Sequence, residues 1–201
     1  MSDISNLPLF VTIIVCIAAL YNCKVAWDNE VSKVYSGIDN KPYVVLNLPD
    51  KEAAADELAR LRIKMNGFIK LLQSKALEKN KLKATERLDR VQRKFRSVLS
   101  ESKPGSKYTS YTVNKGDKIV MCIRERDENN RLIDENTLFF VALHELAHVM
   151  TLSIGHTEEF WDNFRFLLKN AIKYKYYIYH PYHVSPKKYC STYISNTPLK
   201  I

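Results

Sequence analysis

The sequence His144-Glu-Leu-Ala-His148 is the feature that most constrains the fold, because its chemistry requires a helix. Two imidazoles four residues apart lie one above the other on one helix face, so both can bind a single Zn²⁺ ion. The carboxylate of Glu145, beside the first imidazole, is then placed to take a proton from the water that the ion activates. The apolar residues 138–143 directly before the motif predict that it lies on a helix.

A third metal ligand is expected at His156, which follows Gly155 and comes eight residues after His148. The glycine can adopt a positive φ, so it can end the helix and turn the chain back toward the two imidazoles. His156 is favoured because imidazole is the commonest metal ligand, and the alternative is a carboxylate from Glu158 or Glu159. Three protein ligands would leave one position of a tetrahedral zinc site open, as in catalytic zinc sites.

Capping signals predict the two helices around these ligands. Asp134 or Asn136 is expected to cap the motif helix, which should run to about Ser153. Thr157 is expected to cap a second helix over residues 157–173, since acidic side chains favour its first turn.

The residues before the motif predict a β-hairpin. Two segments, 108–113 and 118–124, are rich in β-branched and aromatic residues and flank a turn that contains Gly116. Such a hairpin either offers a strand edge that holds a substrate backbone by β-addition or only buries the motif helix.

Residues 111–168 resemble the minimal zincin peptidases of the WLM and SprT-like group. The features that carry the resemblance are the strand segment 118–124, the motif helix 143–148, the sequence Gly155-His156-Thr157 and the aromatic pair Phe160-Trp161. The resemblance implies a peptidase that acts on a protein or peptide substrate. It also implies one catalytic general base, Glu145, and three zinc ligands: His144, His148 and His156.

The chain is also similar to versions of this domain that large DNA viruses encode. It departs from the family in lacking a proline between Gly155 and His156 and in lacking a second zinc ribbon. The resemblance leaves two alternatives to a membrane-tethered metallopeptidase. One is a DNA-stimulated protease that acts on protein–DNA crosslinks. The other is a non-catalytic, membrane-anchored scaffold or virion protein with a structural zinc.

The longest apolar run, residues 7–21, predicts a membrane anchor over residues 1–27. A cleaved signal peptide and a buried helix of the main domain are the alternatives. Basic residues follow the run but do not precede it, so the positive-inside rule predicts a single-pass membrane protein with a cytosolic catalytic domain.

Residues 51–107 contain sixteen basic and seven acidic residues, so their net charge of +9 equals the net charge of the whole chain. Apolar residues recur there at helical spacing, which predicts a hairpin of two helices over about 51–77 and 81–100. Its basic surface is expected either to bind an anionic lipid or a nucleic acid, or only to keep the protein soluble.

These patterns together predict an α+β fold in four parts. A hydrophobic helix over residues 1–27 precedes a connector over 28–50, which includes a possible strand at 43–48. The basic helical hairpin follows over 51–101. The zincin-like core over 102–201 then packs a short β-sheet on the motif helix.

The tyrosine-rich tail, residues 173–201, is expected to cover the core, because tyrosine suits positions that are buried at one end and wet at the other. His180 and His183 then either join this cover or reach the metal. Cys122 and Cys190 either form a disulfide in an oxidising compartment or remain two reduced thiols.

Overall fold

The computed structural model describes residues 7–78 and 82–199, and these form the predicted α+β fold. The helices are α1 (Leu7–Glu30), α2 (Lys51–Glu78), α3 (Leu82–Lys94), α4 (Glu135–Met150) and α5 (Glu158–Lys173). The strands are β1 (Val31–Tyr35), β2 (Pro42–Leu46), β3 (Leu99–Glu101), β4 (Tyr111–Val113), β5 (Lys118–Met121), β6 (Lys187–Tyr189) and β7 (Thr192–Ile194).

Within the described residues, five strands form one mixed sheet in the order β1-β2-β3-β5-β4. β2, β3 and β5 are parallel, whereas β1 and β4 are antiparallel to their neighbours. The predicted hairpin is confirmed as the β4–β5 pair, in which Thr112 lies opposite Ile119. β4 is therefore an edge strand of this sheet.

One hydrophobic core joins the sheet to helices α2 to α5. It includes Tyr43 from β2, Leu58 from α2, Leu88 from α3, Leu143 from α4 and Leu167 from α5. The predicted connector, helical hairpin and zincin-like core thus share one buried interior, and their boundaries at 50/51 and 101/102 remain a prediction.

The second helix of the predicted hairpin is shorter than expected. The helical pattern predicted a helix to about residue 100, which is wrong because α3 ends at Lys94. Phe95 is still buried, but Ser97 has a φ of +58° and Val98 is 48% exposed. The chain leaves the helix there and enters β3, whose pairing with β2 and β5 is non-local.

The β4–β5 turn requires a glycine at its closest approach to α3. Gly116 has a φ of +128°, and a Cβ added to it would lie 2.6 Å from the carbonyl oxygen of Lys94. The Gly116 carbonyl also accepts a hydrogen bond from the Arg96 amide at 2.8 Å. The turn that follows β4 is therefore fixed against the end of α3.

No helix in the described part of the chain has an apolar stretch long enough to cross a membrane. The predicted membrane anchor over residues 1–27 is therefore wrong, and so is the single-pass membrane localisation with a cytosolic domain. Length is the physical reason, since a fifteen-residue apolar run rises about 22 Å against a hydrocarbon core of about 30 Å. Residues 1–6 of the predicted anchor lie outside the described residues.

Candidate metal centre

His144 and His148 project from the same face of α4, and the helix itself is held by burial and by its cap. Residues 137–143 of α4 are buried, and Asp134 caps the helix by accepting a hydrogen bond from the Thr137 amide at 3.0 Å. The ring centroids of His144 and His148 are 5.0 Å apart. The predicted motif helix is confirmed, although it ends at Met150 and not at Ser153.

His156 returns to these two imidazoles through the turn that follows α4. Gly155 has the expected positive φ, at +84°. The Nε2 atoms of His156 and His144 are 3.0 Å apart, and one ring nitrogen from each of the three histidines lies within 4.8 Å of the others. The structure thus brings together His144, His148 and His156, the three predicted ligands.

Glu159, an alternative third ligand, holds the turn that carries His156. Its carboxylate accepts hydrogen bonds from the amides of Leu152 at 3.0 Å and Ser153 at 3.2 Å. Glu158, the other alternative, pairs with Arg165 on the outer face of α5. Among the described residues, neither carboxylate belongs to the group that could hold a metal ion.

Lys115, in the β4–β5 turn, holds the same segment from the opposite side. Its Nζ donates hydrogen bonds to the carbonyl oxygens of Thr151 at 3.0 Å and Ser153 at 2.5 Å. Lys115 has a φ of +58°, so the turn that Gly116 allows also aims this side chain at the end of α4. The position of His156 therefore depends on both Lys115 and Glu159.

Aromatic rings pack around the three imidazoles. Phe160 lies 4.3 Å from the His148 ring and 4.9 Å from the His144 ring, measured between centroids. The ring of Trp161 stacks on that of His156 at 5.6 Å. Thr157 caps α5 as predicted. Because the helix begins at this point, the side chains of Phe160 and Trp161 in its first turn face the imidazoles.

Burial keeps the two histidines of α4 uncharged. Burial, followed by the charges of His148 and His156, lowers the pKa of His144 to about 3. Burial, followed by the charges of His156 and Lys115, lowers the pKa of His148 to about 4. Neutral imidazole is the form that binds metal ions. A set of three imidazole nitrogens fits Zn²⁺, which is commonly bound by histidine.

Glu145 lies buried beside the imidazoles, with 4% of its surface exposed. Burial raises the pKa of its carboxyl to about 7, against a lowering by the Thr112 hydrogen bond. The Thr112 hydroxyl, from β4, donates to Oε2 of Glu145 at 2.9 Å. Thr112 is not among the residues predicted for the site, although strand alternation places it on one face of the predicted hairpin and Tyr111 and Val113 on the other.

Two cavities meet at His144 and Glu145. The first, of about 700 Å³, is here called the aromatic pocket and lies between α4, α5 and the C-terminal segment. Its apolar wall consists of Phe140, Val141, Trp161, Phe164, Ile194 and Pro198. The second, of about 550 Å³, is here called the polar cavity. It lies between the β4 edge and the turn of His156, and it also includes Lys115 and His148.

The wall of the aromatic pocket is tied to the sheet by a disulfide and a hydrogen bond. Cys122 and Cys190 form the disulfide that the sequence left open. The hydroxyls of Tyr189 and Ser110 are 2.6 Å apart, and Ser110 also accepts a hydrogen bond from the Cys122 amide at 3.0 Å. Both links fix the β6–β7 hairpin beside Glu145.

The tail forms the expected aromatic cover over the core. Tyr177 and Tyr182 are buried against Phe140, with ring centroids 5.9 and 4.7 Å from its ring. His180 bonds to the carbonyl oxygen of Ser185 through Nε2 at 2.6 Å. Neither His180 nor His183 is among the described residues that could hold a metal ion together.

The comparisons with known proteins point to viral relatives. No family model matches this chain. It is 35% identical over 201 residues to the uncharacterized protein R325 of Acanthamoeba polyphaga mimivirus, a match that covers 98% of both chains. It is also 47% identical over 83 residues to protein 042R of Invertebrate iridescent virus 3, and this match spans 41% of the present chain and 49% of that relative. The expected similarity to viral proteins is confirmed.

Solved structures of Wss1 are also similar. The crystal structure of Wss1 from Saccharomyces cerevisiae is 19% identical, with a TM-score of 0.43 over 65% of this chain and 88% of that one. A mutant Wss1 from S. pombe is 25% identical, with a TM-score of 0.43 over 63% and 92% of the respective chains.

Proposed function

The chain belongs to the same family as protein R325 of Acanthamoeba polyphaga mimivirus, and we propose that it is a zinc-dependent metallopeptidase. One observation carries the proposal. Three imidazoles from α4 and the following turn bring their ring nitrogens within 4.8 Å of one another, and the buried carboxyl of Glu145 lies beside them at the junction of two cavities.

His144, His148 and His156 would hold the metal ion. When bound, Zn²⁺ supplies a Lewis acid that polarises the peptide carbonyl and lowers the pKa of a water molecule toward about 7. The uncharged state of the His144 and His148 imidazoles keeps their ring nitrogens available as ligands. The Glu159 and Lys115 hydrogen bonds hold His156 in place for the same task.

Glu145 is the proposed general base. Its carboxylate takes one proton from the attacking water and passes it to the amine nitrogen as the C–N bond breaks. The water oxygen becomes part of the new carboxyl group, which releases the second proton to solvent. Burial raises the pKa of this carboxyl above that of an ordinary glutamate, which makes it a better proton acceptor. The hydroxyl of Thr112 fixes the orientation of this carboxylate.

The edge strand β4 is the proposed site for the substrate backbone. Its antiparallel partner is β5, and among the described residues no second strand pairs with its other side. That side faces the polar cavity, which Tyr111, Thr112 and Asn114 line. An extended peptide can add to such an edge as a further strand. The polar cavity reaches His144 and Glu145, so a peptide bound there passes the metal centre.

A structural zinc, the alternative that would make the protein a scaffold or virion component, is less well supported. A structural zinc site has four protein ligands, whereas three histidines form the group found among the described residues. Three ligands leave a coordination position for solvent or substrate, which is what hydrolysis requires.

A lipid or nucleic-acid partner at the basic hairpin has weaker support than the charge count suggested. Several of its basic side chains are already paired with carboxylates: Arg60 with Glu57, Arg62 with Asp39, Lys64 with Glu135, Lys75 with Glu78, and Arg90 with Glu159. Asp39, Glu135 and Glu159 come from outside the hairpin and offset part of its net charge, whereas Glu57 and Glu78 are already included in that charge. The DNA-stimulated alternative therefore becomes one arm of the test and is not the proposal.

The test uses the full chain, metal analysis and hydrolysis of an unfolded protein substrate. The variant Glu145→Gln should keep its zinc and lose hydrolysis, because an amide cannot accept the proton. Glu135→Gln is the matched control, since this glutamate is half-exposed in the first turn of the same helix. We expect the control to retain both zinc and activity.

Full hydrolysis by Glu145→Gln would remove this residue from the mechanism, and a wild-type protein that binds zinc but cleaves nothing would favour the scaffold. Adding duplex or single-stranded DNA to the same assay separates the remaining alternative. A large stimulation of the wild-type rate by DNA would support a protease that acts on proteins attached to DNA.

A further inference from the structure

The two cavities beside Glu145 are lined by different side chains, and aromatic and aliphatic side chains from α4, α5 and β7 characterise the aromatic pocket. Phe140 and Phe164 form its floor and are buried, while Trp161 and Ile194 are half-buried in its walls. The polar cavity carries Lys115 and backbone groups of the β4 edge. A substrate that crosses Glu145 therefore meets the aromatic side chains of α4 and α5 on one side and the β4 edge with the turn of His156 on the other.

The aromatic pocket lies at the right distance from the reacting groups to hold a neighbouring side chain. Val141 is one helical turn before Glu145 on α4, and Phe140 is one turn before His144. One turn rises about 5.4 Å. An extended peptide advances about 3.3–3.6 Å per residue, so a residue next to the scissile bond can place its side chain in this pocket.

Arg165 is a charged side chain at the rim of the aromatic pocket, but its pairing does not favour an anionic ligand. Arg165 lines the pocket, but its Nη2 bonds to Glu158 at 2.5 Å and to Asp162 at 2.7 Å. These two carboxylates balance the guanidinium charge. Burial of apolar surface is the interaction that the pocket offers most of.

We infer that the aromatic pocket is a specificity subsite that takes a large apolar side chain, such as Phe, Leu or Met, from a residue flanking the scissile bond. This inference rests on the proposed peptidase function. It assigns the substrate class as unfolded or extended segments with a large apolar residue at that position. The volume of about 700 Å³ accommodates such a side chain.

Strand β7 supplies a way to test the pocket without touching the metal centre. Thr192 and Ile194 both line the pocket, whereas Tyr193, between them, is 65% exposed. Alternation along the strand explains this difference. Thr192 is itself exposed, so Thr192→Trp should narrow the pocket from its rim, and Tyr193→Trp is the matched control on the opposite face.

The experiment measures binding separately from hydrolysis. The zinc-loaded full chain carrying Glu145→Gln is titrated with unstructured peptides that differ at one central residue, which is Phe, Leu, Ala, Asp or Lys. We expect the Phe and Leu peptides to bind roughly 10-fold or more tightly than the Ala peptide, as for other apolar subsites. Thr192→Trp in this background should remove most of that preference, and Tyr193→Trp should retain it.

Equal affinities across the peptide series would overturn the inference. An unchanged preference in Thr192→Trp and in a second rim variant, Ser195→Trp, would also overturn it. A preference that is measured in binding while the wild-type chain hydrolyses none of the peptides would support the pocket and refute the peptidase. Enrichment of apolar residues at one fixed position of the cleavage sites would support both.

Discussion

The site has two halves that come from different parts of the sequence. The metal half consists of the three imidazoles and Glu145, and the pocket half is the aromatic pocket. Residues 144–156 alone provide the three imidazoles and Glu145. The aromatic pocket takes its walls from separated stretches, namely 109–110, 140–141, 161–165 and 189–198. The metal half therefore depends on one helix and one turn, whereas the pocket half depends on the tertiary fold. Substitutions in the metal half should therefore reduce zinc binding and hydrolysis, whereas substitutions in the pocket half should reduce the preference for apolar peptides.

Removing a ligand should have the largest effect and should be confined to the metal half. We expect His156→Ala to lose bound zinc and all measurable hydrolysis, since two imidazoles remain where three are needed. Metal analysis of the purified variant, alongside the hydrolysis assay, checks this. His183→Ala, an exposed histidine of the tail, is the matched control. A variant at position 156 that keeps stoichiometric zinc would show that another group completes the site.

Breaking the disulfide should damage the pocket half and spare the metal half. Cys122 and Cys190 close a loop of 68 residues, and loss of such a link destabilises a fold by roughly 2–4 kcal/mol. We expect Cys190→Ser to lower the free energy of unfolding by that amount in denaturant titrations and to weaken the apolar peptide preference, while zinc content stays unchanged. Cys16→Ser, at an exposed free thiol, is the control. Loss of zinc in Cys190→Ser alone would mean that the two halves are not separate.

Loss of the Thr112 hydroxyl should lower kcat more than it changes KM or zinc content, because this hydroxyl contacts the Glu145 carboxylate and not the metal ligands. We expect Thr112→Val to lower kcat by roughly 10- to 100-fold, the usual effect of losing a hydrogen bond that orients a metal-site group. KM and zinc content should change little. Thr112→Ser restores the hydroxyl and should restore most of kcat, which a role limited to packing would not explain. Equal rates for the Val and Ser variants would contradict the proposed orientation of Glu145.

The same contrast explains how much the sequence could predict. The motif helix, its Asp134 cap, the positive φ of Gly155 and the Thr157 cap all follow from neighbouring residues, and each is confirmed. The β4–β5 hairpin was also predictable, since its strands are joined by a short turn. These features are local, so periodicity and capping chemistry were sufficient to find them.

What the sequence did not predict is non-local. β3 pairs in parallel with strands far away in the chain, so helical spacing through Phe95 wrongly extended α3 across it. The apolar run of α1 reaches the length of a membrane span only when it is extended to about residue 27, and no helix of the described residues is long and apolar enough to cross a membrane. The Tyr189–Ser110 and Thr112–Glu145 contacts join distant residues, and nothing in local composition marks them.

Neutralising Glu159 should have the smallest effect, and the result decides whether His156 or Glu159 is the third metal ligand. In the structure, the Glu159 carboxylate orients the turn by accepting hydrogen bonds from the amides of Leu152 and Ser153. We then expect Glu159→Gln to weaken zinc binding by only about 10-fold, since the amide oxygen still accepts one of these bonds, and saturating zinc should restore hydrolysis. Glu158→Gln, at the neighbouring exposed position, should leave zinc affinity unchanged. If Glu159 were itself a ligand, its variant would lose zinc as completely as His156→Ala, and added metal would not restore turnover.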